Sequence, residues 1–119
     1  MIMELLQTPN RCRYELLIGT EVDRDHQPIP AAVRECAVDT LKRAVAARFG
    51  GYSSHEIAGG WIGADGKLAQ ERSLCLSVLT DTPDAEAVPR LSEIIAMAKA
   101  LLRQESVGLT RTELRFSFV

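Results

Sequence analysis

What this chain can fold into is limited above all by an apolar period that switches repeatedly between two and about 3.6. Residues 11–22 read as a strand, with Tyr14, Leu16 and Ile18 on one face because side chains alternate across a strand. A polar loop follows from Asp23 to Gln27, closed by Pro28. From Pro30 to about Phe49 the period becomes helical, and Val33, Cys36, Ala37, Leu41, Ala44, Val45 and Phe49 form one apolar stripe. Pro30 suits a first helical turn, where its missing N–H costs nothing, and Gly50-Gly51 ends the helix.

Residues 52–62 read as a second strand interrupted by Gly59-Gly60, the mark of a bulge or a close backbone approach. The Asp65-Gly66 turn then leads into a long strand from Lys67 to Leu79, making a hairpin. Leu74, Leu76 and Val78 share one face of that strand, while Cys75, Ser77 and Leu79 share the other. Thr82 is placed to cap a second helix running to about Gln104, with Pro83 in its first turn and Asp84 and Glu86 at the positive end of the dipole. Its apolar set (Val88, Leu91, Ile94, Ile95, Met97, Ala98, Leu101, Leu102) is broader than one sheet contact needs. Deep packing or a partner interface would explain that breadth. Val107–Val119 reads as a fourth strand with Leu114, Phe116 and Phe118 on one side.

The order is βαββαβ. Right-handed crossovers put both helices on one face of a four-stranded antiparallel sheet, a ferredoxin-like α+β arrangement spanning residues 1–119 as one domain. The other face then lacks helical cover, and is polar, dimerised or occupied by ligand. A chain of 119 residues buries roughly two-thirds of its unfolded surface, enough for a core without metal or disulfides. Charged content of 25% and hydrophobic content of 46% exclude wholesale disorder. A formal charge of −2 argues against a strongly basic nucleic-acid footprint. No apolar run approaches the roughly 20 residues needed to cross a bilayer. The short acidic start, Met1 to Leu6, is unlike a secretory signal, so a cytoplasmic location is expected. Cys12, Cys36 and Cys75 are odd in number and lack CxxC spacing, which fits reduced and mostly buried thiols.

The residue chemistry excludes several activities. His26 and His55 are far apart and pair with no cysteine at zinc spacing, and the Asp23-Arg24-Asp25-His26 loop lacks an EF-hand pattern. Neither a metal nor a cofactor is implied. Ser53-Ser54-His55-Glu56 groups catalytic residue types, but neighbours on a strand point to opposite faces. The glycine-rich run 59–66 lacks the Lys-Ser ending and following helix of a phosphate loop. The sparse aromatics carry no RNA-binding pattern. One polar set stands out: Glu71-Arg72-Ser73 and Arg103-Gln104-Glu105-Ser106 approach one end of the sheet in this topology. They form either an ion-pair network or the rim of a pocket holding Tyr52 and Trp61. Packing of Trp61 against the glycine bulge is the plainer expectation for that ring.

Phe49-Gly50-Gly51-Tyr52, Gly60-Trp61, Asp65-Gly66-Lys67-Leu68, Glu71-Arg72-Ser73 and Gln104-Glu105-Ser106-Val107 together resemble a family of small bacterial proteins of unknown function. The resemblance covers roughly residues 45–110, with a weaker match at Ile18-Gly19. It departs at Gly59, which precedes Gly60-Trp61 where the family favours Gly-Gln-Trp, and in the export signal that many members carry. It implies a ferredoxin-like domain and nominates Trp61, Glu71, Arg72, Gln104 and Glu105 without giving them roles.

Two functions follow as expectations. The first is a non-enzymatic protein–protein interaction module that self-associates through its sheet or second helix, a small inhibitor of a larger complex being one form. The second is a small-ligand-binding protein or enzyme of the dimeric ferredoxin-like type. There Tyr52 and Trp61 line a cavity, Arg72 holds an anionic group, and Glu71 or Glu105 acts as base, with Gln104 alongside. The partners expected are a second copy, another protein or a small ligand, rather than a membrane or nucleic acid.

Overall fold

Six elements alternate in the computed structural model, which describes Met3 and residues 9–118. They are β1 (Arg11–Gly19), α1 (Ala31–Phe49), β2 (Ser53–Ile62), β3 (Leu68–Thr80), α2 (Asp84–Leu101) and β4 (Gly108–Leu114). The sheet order is β2-β3-β1-β4, all antiparallel, so the first strand lies in the middle and β2 and β4 are the edges. Tyr14, Leu16 and Ile18 of β1 and Leu74, Leu76 and Val78 of β3 are buried with Leu41 and Val45 of α1 and Leu91, Ile94, Ala98 and Leu102 at α2. The two helices therefore share this face and pack on each other as well as on the sheet. Alternation decides the arrangement: a one-residue slip in β1 would expose all three of its core side chains.

Several local expectations are corrected. The second strand has no bulge, because Ser53 to Ile62 pair residue for residue with Ser77 to Leu68. Gly60 instead serves the close approach, since a Cβ there would lie 3.2 Å from Leu68 Cδ1. Trp61 consequently packs against no bulge and is 52% exposed. Thr82 does not cap α2. Pro83 holds the N-cap position, and the Thr82 N–H donates to Thr80 Oγ1 at 3.0 Å. Cys36 and Val33 lie outside the buried stripe of α1, so of the three thiols only that of Cys75 is fully buried. The second helix ends at Leu101 because Arg103 turns left-handed, at φ 49°.

At the ends of the chain, β4 stops at Leu114 rather than continuing. The backbone beyond is held by Asn10, whose side-chain amide donates to the Phe116 carbonyl at 2.7 Å and accepts the Phe116 N–H at 2.8 Å. Phe116 and Phe118 meet edge to face, with centroids 4.8 Å apart. The acidic start of the chain and Val119 lie outside the described residues, apart from Met3.

The last partner of β1 on β3 is Ser73, facing Gly19, yet β2 and β3 go on pairing to Ile62 and Leu68. Residues 58–72 thus extend past the rest of the sheet as a two-stranded ribbon. The molecule is correspondingly long, at 53 Å in its greatest extent.

Candidate functional site

The ribbon leaves β1 at Gly19, and the loops that gather there build a cleft. Val22 bridges Pro28, folding the β1–α1 loop back on itself, and the Asp23 carboxylate accepts the Asp25 and Gln27 N–H groups at 2.8 and 3.0 Å. Those bonds, with the Gln27 N–H foremost, hold the Asp23 carboxyl below its usual range. The Arg24 N–H donates to the Arg103 carbonyl, and Arg103 pairs with Asp25, tying this loop to the α2–β4 turn. Gln104 completes the connection: its Nε2 donates to the Val22 and Leu102 carbonyls at 2.9 and 3.0 Å. With its amide nitrogen held, Oε1 lies against Gly19, where a Cβ would come within 2.6 Å of it and 3.2 Å of Glu71 Oε1. Only glycine lets Gln104 and Glu71 approach this closely.

Trp61, Glu71, Gln104 and Glu105 line the resulting cavity of about 450 Å³, together with Asp23 and His26. Four of the six side chains nominated from sequence therefore meet. The other two lie elsewhere. Arg72 faces a neighbouring hollow beside Ala58 and Gly60, its backbone N–H donating to Glu21 Oε1 at 2.8 Å. Tyr52 lies at the far end of β2, nine strand residues or about 30 Å from Trp61, in a separate cavity with Arg13, His55 and Ser77. Its ring sits 6.0 Å from the Lys42 ammonium.

The ion-pair network expected between the two polar segments does not form. Among the described residues, Arg103 pairs with Asp25, while the Glu71 and Glu105 carboxylates have neither a salt-bridge nor a hydrogen-bond partner. The cleft lining thus carries four carboxylates (Glu21, Asp23, Glu71 and Glu105) against one guanidinium, Arg24, beside an exposed indole. In the sequence Asp23 stands out only within a loop weighed for metal and Gly19 only in a weak family match, and neither is assigned to this cleft. An Asp-x-Asp turn and a glycine closing an apolar strand were the available signals, and only the fold shows that they face Gln104.

Elsewhere the chemistry is quieter. On the sheet face away from the helices, Cys75 faces His55 across the β2–β3 ladder, with Glu15 and Ser77 oxygens each 3.9 Å from its sulfur. Burial pushes that thiol up, which opposes thiolate chemistry. No group of three potential metal ligands occurs among the described residues. No described helix is long and apolar enough to cross a membrane.

Fold and cleft together define a ferredoxin-like α+β domain with an open sheet face and a ligand-sized hollow at one end. More particularly, residues 13–118 match the family described as "Protein of unknown function (DUF3574)", and the chain belongs to that family. No curated protein matches it. Among solved structures it is similar to a phage SAM lyase in complex with S-methyl-5'-thioadenosine, with a TM-score of 0.63 and 15% identity over 92% of this chain and 85% of that one. It is also similar to CutA from Synechococcus elongatus, with a TM-score of 0.52 and 14% identity over 89% and 78%. The periplasmic divalent cation tolerance protein CutA from Archaeoglobus fulgidus gives a TM-score of 0.51 and 9% identity over 90% and 87%. At such identities these likenesses are likenesses of fold.

Proposed function

We propose that this protein binds a small organic cation in the cleft bounded by Trp61, Glu71, Gln104 and Glu105. The observation that carries the reading is the pair of carboxylates, Glu71 and Glu105, without counter-ions among the described residues and beside an exposed indole. Two carboxylates lining one hollow favour a cationic occupant over an anionic one. An indole face attracts the same charge through its quadrupole. The volume of about 450 Å³ falls within the roughly 300–1,000 Å³ common for small-ligand sites.

The fold likeness to a SAM lyase holding S-methyl-5'-thioadenosine supplies the first probes. SAM carries both a sulfonium charge and an amino-acid arm that this thioether lacks, so S-adenosylhomocysteine, which keeps the arm without the sulfonium charge, serves beside it to isolate charge recognition. Isothermal titration should show SAM binding more tightly than S-methyl-5'-thioadenosine. Glu71→Gln and Glu105→Gln should each weaken it at least about tenfold, roughly 1.4 kcal/mol. Tyr52→Ala and Arg72→Ala should leave it unchanged. If SAM, S-methyl-5'-thioadenosine and spermidine all fail to bind, or binding ignores both glutamates, the reading falls.

A protein–protein role is favoured by a separate observation, the uncovered face of the sheet. The geometry offers nothing that supports inhibition of a larger complex in particular.

A further inference from the structure

We infer that the open sheet face and the β2–β3 ribbon form an interface between copies of this chain. Leu17 of β1, Ile57 of β2 and Leu79 of β3 are exposed apolar side chains on that face by register, since Leu17 faces Cys75, Ile57 faces Ser73 and Leu79 faces Arg13. Trp61, opposite Ala69, continues the apolar surface along the same face of the ribbon, while Ile62 and Leu68 are exposed on the ribbon's other face. A two-stranded ribbon in water is marginal by itself and gains stability when a further strand or layer covers it. Here residues 58–72 pair with each other, lie past the end of β1, and expose three large apolar side chains. The chain is also more extended than its length requires: its Cα radius of gyration is 16.4 Å, against about 13–14 Å for a compact domain of this size.

Three features point to a second copy as the occupant. The first is area. Four strands at about 4.8 Å spacing and some eight residues at about 3.3 Å each give a face of about 500 Å². The same face of the ribbon adds about 150 Å², which brings the surface to about 650 Å², within the roughly 600–1,000 Å² per partner of a stable interface. The second is charge. Arg11 and Arg13 share this face with Glu15 and Glu71, so the surface is close to neutral and can meet itself without net repulsion. The third is the backbone. β2 is a ten-residue edge strand whose only charged residue is Glu56, so it lacks the lysines and prolines that keep edges apart. Every copy also brings β4 as a second open edge.

The helix side offers less. Of the broad apolar set on α2, Leu91, Ile94 and Ala98 are core, Ile95 and Met97 pack against it, and only scattered members such as Val88 stay exposed.

Sedimentation velocity on the full chain at micromolar concentration tests the inference. The expected result is an assembly of at least two chains of 13.1 kDa. Leu17→Lys and Ile57→Lys each put a charge at a position exposed in the single chain, so the fold should survive by circular dichroism. Each should raise the dissociation constant at least about tenfold. Val88→Lys, on the helix side, should not. A wild-type chain that sediments as a monomer overturns the inference. So does an assembly that both sheet variants leave intact, or one that Val88→Lys breaks. Trp61 and Glu71 belong to both surfaces, but Leu17 and Ile57 do not line the cation cleft, so loss of assembly in these variants is read separately from the ligand titration.

Discussion

The two ends of the sheet handle charge in opposite ways. Where β1 begins, the Tyr14 hydroxyl donates to Asp84 at the start of α2, and Arg111 of β4 donates to the same carboxylate at 3.0 Å and to Glu113 at 3.3 Å. Tyr14 and Arg111 are direct cross-strand partners, so the sheet register itself delivers the guanidinium to the phenol and the helix terminus. Where β1 finishes, Glu71 and Glu105 face a hollow with no partner among the described residues. The first end is a closed clasp between sheet and helix. The second is an opening with unspent charge. Glu71 is half-buried and Glu105 exposed, and neither spends its charge on a contact within the fold, which leaves both for the ligand proposed above.

The contrast can be broken most severely at the clasp. Tyr14→Ala should cost about 3–5 kcal/mol in urea denaturation, the range for truncating a buried aromatic. A loss below about 1 kcal/mol would show that the clasp carries little.

The next effect is a pH dependence at the same end. The Tyr14 and Arg111 bonds hold the Asp84 carboxyl below its usual range, with the Tyr14 bond foremost. The unfolded chain protonates Asp84 near about pH 4, so this stabilisation is complete above that pH and drains as pH falls through the lower folded value. Burial, assisted by Asp84, raises the Tyr14 phenol instead. Its stabilisation is complete below about pH 10 and is lost as pH rises through the higher folded value. Thermal melts should therefore lose stability at both extremes. Asp84→Asn should flatten the acid limb and Tyr14→Phe the alkaline one, and a profile unchanged by either would dissolve the clasp.

At the open end the effects on folding should be smaller. Gly19→Ala drives a Cβ towards Gln104 Oε1, a flexible side-chain tip, so the fold should hold while Gln104 is displaced. The expected readout is weaker SAM binding with a melting temperature within a few degrees of the parent. The smallest effect belongs to Glu71→Gln and Glu105→Gln, which should change stability by no more than about 0.5 kcal/mol in either direction. A loss larger than that would mean these carboxylates have structural partners, and the contrast between the two ends would vanish.

How much of this was legible beforehand depends on the range over which each feature is decided. Element order, the burial of Tyr14, Leu16 and Ile18, and the Asp65-Gly66 turn are set by residues close in sequence, and there the pattern sufficed. Gly66 adopts φ 76° and Asp65 Oδ1 accepts the Lys67 N–H, as such a turn requires. The convergence of 71 and 104–105 on Trp61 followed from topology alone. Its membership did not, because Arg72 and Glu71 are neighbours on a strand and alternation sends them to opposite sides. Tyr52 misled for a related reason: it stands just before the strand that carries Trp61, but extended backbone separates them by most of the sheet's length. The clasp went unseen, since the sequence shows Tyr14, Asp84 and Arg111 widely spaced and only the β1–β4 register joins them.

The exchange of two hydrogen bonds between Asn10 and Phe116 has a practical corollary. It fastens the entry to β1 beside the segment following β4, at the clasp end and one full strand away from Trp61. Polypeptide attached before or after these residues departs from a single corner, so a reporter fused on either flank hangs clear of the hollow. Joining those flanks and reopening the chain at the 63–66 turn would yield a permuted version with its hollow still walled by the same loops.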